Sequence, residues 1–96
     1  MRDLGEIRKD IDAIDQQITA LFEQRMNLTR QVAEYKLANG KPVLDPAREE
    51  QKLDALAGQT HSEQNAQGIR ELYELVMAIS RRQQQELIRQ EKQEYK

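Results

Sequence analysis

Apolar side chains in the first third of the chain recur at alternating steps of three and four residues. That spacing places them along one face of a helix and not on the face of a strand. Between Ile7 and Ala38 no glycine or proline interrupts the pattern, and Asn39-Gly40 then gives a stop signal. The pattern therefore predicts a first helix from about Leu4 to Ala38. The apolar stripe comprises Leu4, Ile7, Ile11, Ile14, Ile18, Leu21, Leu28, Val32 and Tyr35.

A helix of that length is too long for one small chain to cover. At about 1.5 Å per residue it would extend roughly 50 Å. A compact domain of 96 residues has a radius of gyration of only about 12–13 Å. We therefore expect residues 1–96 to form a single domain that is a homodimer, with the first helix at the interface.

Two further helices are predicted downstream. Asp45-Pro46 is a typical helix start, with Asp45 as the N-cap and proline in the first turn, and Gly58 ends this second helix. In the polar connection that follows, Thr60 and Glu63 fit a capping box for a third helix. The apolar stripe of this third helix comprises Ile69, Leu72, Val76, Ile79, Gln83 and Leu87.

The tail from Arg89 to Lys96 is polar except for Tyr95, and we expect it to fray. No segment shows the strict alternation that is typical of a strand. The predicted fold class is therefore all-α, a three-helix chain with a long first helix.

Composition narrows the function classes. The absence of cysteine excludes disulfides and thiolate metal sites. The net charge of −2 and the 4% aromatic content argue against nucleic-acid binding, which favours basic patches and stacking platforms. No apolar run approaches the ~20 residues that cross a bilayer, and acidic residues break up any signal peptide. We expect a soluble, cytoplasmic protein without nucleic-acid or membrane partners.

Two cations on the first helix are candidates for anion binding. Arg25 occupies the slot of the apolar stripe between Leu21 and Leu28, where an unpaired cation would cost several kcal/mol if buried. Lys36 lies about three turns further along the same face. Together they could grip a small anion. The alternatives for Arg25 are an interfacial ion pair or a side chain that snorkels to the rim, and the alternative for Lys36 is a solvated lysine near the end of the helix.

Arg8 lies on the same helix but cannot reach that anion. It precedes Arg25 by about 25 Å along the axis and about 100° around it. If Arg8 contributes to such a site, it must come from a second subunit. Otherwise it is ordinary solvated surface.

Polar residues elsewhere could complete the site. Ser80 and Gln84 share one face of the third helix, where they could bind a polar ligand or simply form a polar flank. Asp45, Arg48 and Glu49 begin the second helix, where the role of a cap fully explains Asp45, and Arg48 and Glu49 are of the kind that is usually solvated. The single histidine, His61, has no apparent catalytic partner. Any enzyme here would act by electrostatic clamping and positioning.

Taken together, these residues resemble those of the all-helical chorismate mutases, and the resemblance covers nearly the whole chain. The pieces that carry the resemblance are Ile7-Arg8 with Ile14-Asp15, Glu23-Gln24-Arg25, Val32 to Lys36, Pro42-Val43 with Asp45 to Glu49, and Ser80 with Gln84. Each piece is weak alone, and their order and spacing make them specific. The resemblance implies an intertwined homodimer whose active sites each take one arginine from the partner chain.

Residue roles follow from the resemblance alone. Arg8 would be supplied in trans, whereas Arg25 and Lys36 would bind carboxylates within one chain. Arg48 and Asp45 would line the site and Glu49 would bind the ring hydroxyl. Ser80 would assist a carboxylate, and Gln84 with Lys36 would donate to the ether oxygen. The implied catalytic residues are thus Arg25, Lys36 and Gln84.

The implied reaction is the pericyclic rearrangement of chorismate to prephenate in phenylalanine and tyrosine biosynthesis. It needs no nucleophile, metal or cofactor. Two readings compete with it: an isochorismate pyruvate-lyase on the same fold, and a non-enzymatic helical dimerisation module. A domain belonging to a fused or regulated mutase is a further alternative.

Overall fold

The computed structural model describes residues 1–94, which form three helices without any strand in that range. They are α1 (Leu4–Ala38), α2 (Pro46–Ala57) and α3 (Glu63–Glu94). The all-α, three-helix prediction is confirmed. The predicted bounds of the first two helices agree with the structure.

Local capping explains why α1 and α2 begin where they do. The Asp3 carboxylate accepts a hydrogen bond from the Gly5 amide at 3.2 Å at the start of α1. The Asp45 carboxylate accepts one from the Arg48 amide at 3.1 Å, as expected for the N-cap of α2. After α1 the chain reverses at Gly40, whose φ of +65° favours glycine.

The predicted capping box at the start of α3 is wrong. The Ser62 hydroxyl, not that of Thr60, accepts the hydrogen bond from the Asn65 amide, at 3.0 Å. Thr60 instead donates its hydroxyl proton to the Ala57 carbonyl at 2.7 Å, and so completes the end of α2. Thr60 and Ser62 are both suitable capping residues. Thr60 is bound at the end of α2, and Ser62 is therefore the cap of α3.

The predicted fraying from Arg89 onward is also wrong for the described residues. The helix continues through Glu94. Arg89 pairs with Glu86 at 2.6 Å, and the Gln90 amide donates to the same carboxylate at 3.4 Å. Side-chain pairs three and four residues apart support a helix made of good helix formers. Residues 95 and 96, including Tyr95, lie outside the described residues.

Packing centres on α3, which contacts both α1 and α2. Its most buried face carries Met77, Ser80 and Gln84, about 100° around the helix from the predicted stripe. Leu72 of that predicted stripe is 50% exposed. The buried apolar core is small for the chain. It comprises Met26, Ala33, Leu53, Ala57 and Met77.

Most of the apolar stripe of α1 is uncovered. Every residue from 8 to 21 is exposed. The molecule measures 63 × 26 × 15 Å with a radius of gyration of 17.3 Å, against about 12–13 Å for a compact chain of this length. The stripe residues that remain exposed, called here the exposed stripe, are Leu4, Ile11, Ile14, Ile18, Leu21, Leu28, Val32 and Tyr35.

Candidate active site

A cleft of about 140 Å³ opens where α1, α2, α3 and the loop between α1 and α2 meet. All of the predicted site residues except Arg8 line it. We call it the cationic cleft. Its lining is Arg25, Thr29, Lys36, Val43, Asp45, Arg48, Glu49, Lys52, Met77, Ser80, Arg81 and Gln84.

Arg25 turns away from the exposed stripe and toward α3. It donates a hydrogen bond to the Ser80 hydroxyl at 3.0 Å, and its guanidinium carbon lies 5.7 Å from the centre of the Tyr73 ring. Neither partner carries a negative charge. Within residues 1–92, whose side chains the structure describes, no carboxylate forms an ion pair with Arg25. A partly buried cation needs a carboxylate from the protein or from a ligand, and the described residues do not supply one.

Lys36 lies further along the same face of α1, and its described hydrogen-bond partner is also uncharged. Its ammonium donates to the Val43 carbonyl at 2.9 Å, which ties the end of α1 to the loop before α2. Among the described residues it too forms no ion pair. An ammonium has three donors, so this contact leaves two for a ligand.

Ser80 and Gln84 are buried one turn apart on α3, with exposures of 5% and 7%. The Gln84 amide donates to the Thr29 carbonyl of α1 at 2.7 Å. That contact uses one of its two N–H groups, so the other can donate to a ligand. The Ser80 hydroxyl contacts both Arg25 and the Met26 sulfur, the latter at 3.5 Å. Both polar side chains are therefore held in place before any ligand arrives.

The first turns of α2 supply the remaining wall. Asp45 is held as the helix cap, while Arg48 and Lys52 lie one turn apart and both line the cleft. Glu49 is partly buried and forms an ion pair with Arg81 of α3. Cations outnumber carboxylates in this lining, because only Asp45 and Glu49 oppose the arginines and lysines. The cleft is suited to an anion with more than one negative charge.

Arg8 lies far from the cleft of its own chain. It is exposed, and so is every residue from 8 to 21 of α1. Because α1 is one continuous helix, Arg8 and Arg25 are separated by about 25 Å along the axis. No movement of side chains within one chain could bring these two cations onto one small ligand.

Sequence reasoning missed three polar residues of the cleft. Thr29 and Lys52 each stand one turn after a predicted site residue, so helical spacing could have placed them there. Arg81 stands three residues before Gln84 and shares its face. It was overlooked because a charge in a Gln- and Arg-rich helix is usually solvated, and its partner Glu49 belongs to another helix.

Two other kinds of site are not found within the described range. No group of three or more histidine, cysteine or acidic side chains is arranged there to hold a metal ion. None of the helices in that range combines the length and apolar character needed to span a bilayer.

Comparison with known families gives a match over most of the chain. Residues 7–85 fit the family model described as chorismate mutase type II. The matched range contains every predicted site residue, including Arg8. The chain belongs to the type II chorismate mutase family. The resemblance inferred from the sequence is confirmed at the level of the family.

Individual relatives match over a shorter segment. A chorismate mutase of Methanocaldococcus jannaschii is 45% identical over 53 residues, covering 55% of this chain and 54% of that protein. The T-protein of Haemophilus influenzae is 36% identical over 55 residues, covering 57% of this chain and 15% of that protein. A bifunctional chorismate mutase/prephenate dehydratase of Aquifex aeolicus is 37% identical over 56 residues, or 58% and 16%.

The aligned segment therefore spans about half the length of the first relative and about a sixth of the other two. No solved structure was found to match the chain.

Proposed function

We propose that this protein is a chorismate mutase, which isomerises chorismate to prephenate. Family membership supports the reaction, and one structural observation supports the substrate class. Arg25 and Lys36 line a single cleft without a carboxylate partner among the described residues. Chorismate carries two carboxylates, and these two cations are the groups best suited to receive them.

Catalysis would consist of holding the substrate in a reactive shape. The rearrangement requires the enolpyruvyl side chain to lie over the ring, and cations on both carboxylates can fix that conformer. Arg25 is already oriented by Ser80 and Tyr73, and Lys36 by the Val43 carbonyl. Little side-chain entropy would be lost when the dianion binds, since both cations are largely fixed beforehand.

Stabilisation of the transition state falls to Lys36 and Gln84. As the carbon–oxygen bond breaks, negative charge grows on the ether oxygen, and donors aimed at that atom gain strength as it does so. Gln84 is 7% exposed and anchored to the Thr29 carbonyl, so its remaining N–H group would act in a site shielded from water. Asp45, Arg48, Glu49 and Ser80 would complete the binding of the substrate.

The active form would be an intertwined homodimer in which Arg8 enters the cleft of the other subunit. The exposed stripe supports this proposal. Its side chains are 43–60% exposed in the single chain, which is a large apolar surface for a molecule with so small a core. A second copy crossing on this stripe would bury it. Such a crossing would also carry the N-terminal part of one α1 toward the C-terminal part of the other.

One assay tests the proposal directly. The purified protein is incubated separately with chorismate and with isochorismate, and the products are identified by liquid chromatography. We expect prephenate from chorismate. Salicylate and pyruvate from isochorismate, without prephenate from chorismate, would instead assign the lyase reaction. No turnover of either substrate would favour a dimerisation module.

A further inference from the structure

The ion pair between Glu49 and Arg81 joins α2 to α3 inside the cationic cleft. The Arg81 guanidinium donates to one carboxylate oxygen, Oε1 of Glu49. The two side chains are 27% and 29% exposed, so neither is a freely solvated surface charge. Arg81 also lies next to Ser80 in sequence and three residues before Gln84, on the wall that carries both.

This pair leaves Glu49 with one oxygen engaged and one available. A carboxylate has about four acceptor positions on its two oxygens. Fixing Oε1 on a helix other than its own restricts the rotation of the Glu49 side chain, and so fixes the direction in which Oε2 can accept a hydrogen bond. Arg48 and Lys52 are nearer in sequence, but the described contact is with Arg81.

The pair also changes the electrostatics of the cleft. Glu49 carries a negative charge on the wall of a site that would receive a dianion, and like charges repel. Arg81 compensates that charge at hydrogen-bond distance. A carboxylate can then take part in a site for a dianion without opposing its entry.

We propose that Arg81 is a positioning residue that holds Glu49 so that its free oxygen selects substrates bearing a ring hydroxyl. The inference rests on the proposed mutase function and on the Glu49 role it includes. Arg81 itself need not touch the substrate. Its effect would pass through Glu49, and it would show as discrimination for the hydroxyl group.

The test uses chorismate and its analogue with hydrogen in place of the ring hydroxyl. The ratio of their kcat/KM values is measured in the intact protein, in Arg81→Met and in Glu49→Gln. Arg82→Met is the matched control, because Arg82 is the next residue and its side chain is exposed. We expect Arg81→Met to lower the ratio by roughly 10-fold to 100-fold, the range of a charge-assisted hydrogen bond. Arg82→Met should leave it unchanged.

Two further variants separate positioning from mere packing. The double variant Arg81→Met/Glu49→Gln should discriminate no worse than Glu49→Gln alone, since both substitutions remove the same oriented carboxylate. Arg81→Lys should recover part of the ratio because it restores a cationic donor. A purely structural role would lower kcat/KM for both substrates alike and leave the ratio intact, which would overturn the proposal.

Failure of the parent function would be visible separately. If the intact protein does not convert chorismate, the mutase proposal fails and this inference fails with it. If the intact protein does convert it and Arg81→Met keeps the full ratio, only the role of Arg81 is refuted. If Arg81→Met does not fold by circular dichroism, Arg81→Leu, which also lacks a donor, replaces it with the same expected loss and the same refuting result.

Discussion

The two halves of α1 have the same amphipathic pattern and opposite surroundings. In the half up to Leu21, every residue from 8 onward is exposed. In the half after Leu21, Met26 and Ala33 are buried against α3, and Arg25 and Lys36 enter the cationic cleft. The second half is covered by its own chain, whereas residues 8–21 of the first half are left exposed by the described part of the chain.

The second half of α1 itself has two different faces. Leu28, Val32 and Tyr35 remain 43–60% exposed although the opposite face of the same turns is packed. Arg25 and Lys36 lie at the border between the packed face and the exposed stripe. A protein surface that covers the exposed stripe would therefore also lie close to the cationic cleft. The proposed partner subunit would cover the stripe and reach the cleft.

The largest effect should come from placing a charge in the uncovered half. Ile14→Asp would bury two carboxylates in a symmetric interface, which costs several kcal/mol and should raise the dimer dissociation constant about a thousand-fold or more. Turnover of chorismate should be lost with the dimer. Sedimentation velocity and the mutase assay measure both.

Gln16→Asp is the matched control for that variant. It adds the same charge about 160° around the helix from Ile14, away from the exposed stripe. We expect it to dimerise and to turn over normally. A monomeric Ile14→Asp that keeps full activity would show that the uncovered half is not needed for the site.

Arg25→Ala should affect the other half of α1 without affecting assembly. Losing a charge-assisted contact to a substrate carboxylate removes about 2–5 kcal/mol, so kcat/KM should fall about 30-fold to several thousand-fold. The midpoint of thermal unfolding should stay or rise, since Arg25 has no ion-pair partner among the side chains of residues 1–92.

Arg30→Ala controls for removing an arginine from α1. Arg30 is exposed and lies outside the lining of the cationic cleft, so kcat/KM should be unchanged. Equal losses in the two variants would mean that overall charge, and not the placement of Arg25, attracts the substrate.

A smaller effect is expected at the cap of α2. Asp45→Ala removes the acceptor for the Arg48 amide and should lower the free energy of unfolding by about 1 kcal/mol. Asp45→Asn keeps a capping oxygen and should retain that stability. Chemical denaturation of both variants measures the difference. If Asp45→Asn loses as much stability as Asp45→Ala, the cap does not explain this residue.

The smallest effect concerns the ring beneath Arg25. Tyr73→Leu removes a cation–π contact worth about 0.5–1 kcal/mol at a part-exposed site, so KM should rise a few-fold with kcat nearly unchanged. Tyr73→Phe keeps the ring and should behave as the intact protein. A loss in Tyr73→Phe equal to that in Tyr73→Leu would point to the hydroxyl group instead of the ring.

The sequence allowed correct prediction of the features that local signals determine. The spacing of the apolar residues and the stop signal at Asn39-Gly40 predict α1. Asp45-Pro46 predicts the start of α2, because a cap acts on the backbone within a few residues. The start of α3 was misassigned because Thr60 and Ser62 are both good caps, and only the end of α2 decides between them.

Long-range pairings set the limit of prediction for the site. Arg81 meets Glu49 across 32 residues of sequence, and Arg25 meets Ser80 across 55. Helical spacing places Arg81 on the face of Gln84, but it does not say which carboxylate approaches that face. The buried face of α3 was missed for a related reason, because its most buried residues include the polar Ser80 and Gln84.

Mixing two inactive variants shows whether each active site is shared between two chains. Arg8→Ala and Lys36→Ala should each be nearly inactive as homodimers, because every site then carries a lesion. Unfolded and refolded together, they should form about half of all dimers as heterodimers, each with one site free of lesions. Roughly a quarter of all sites, and of the intact activity, should then return. If native mass spectrometry shows heterodimers and no activity returns, the sites are not shared between the chains.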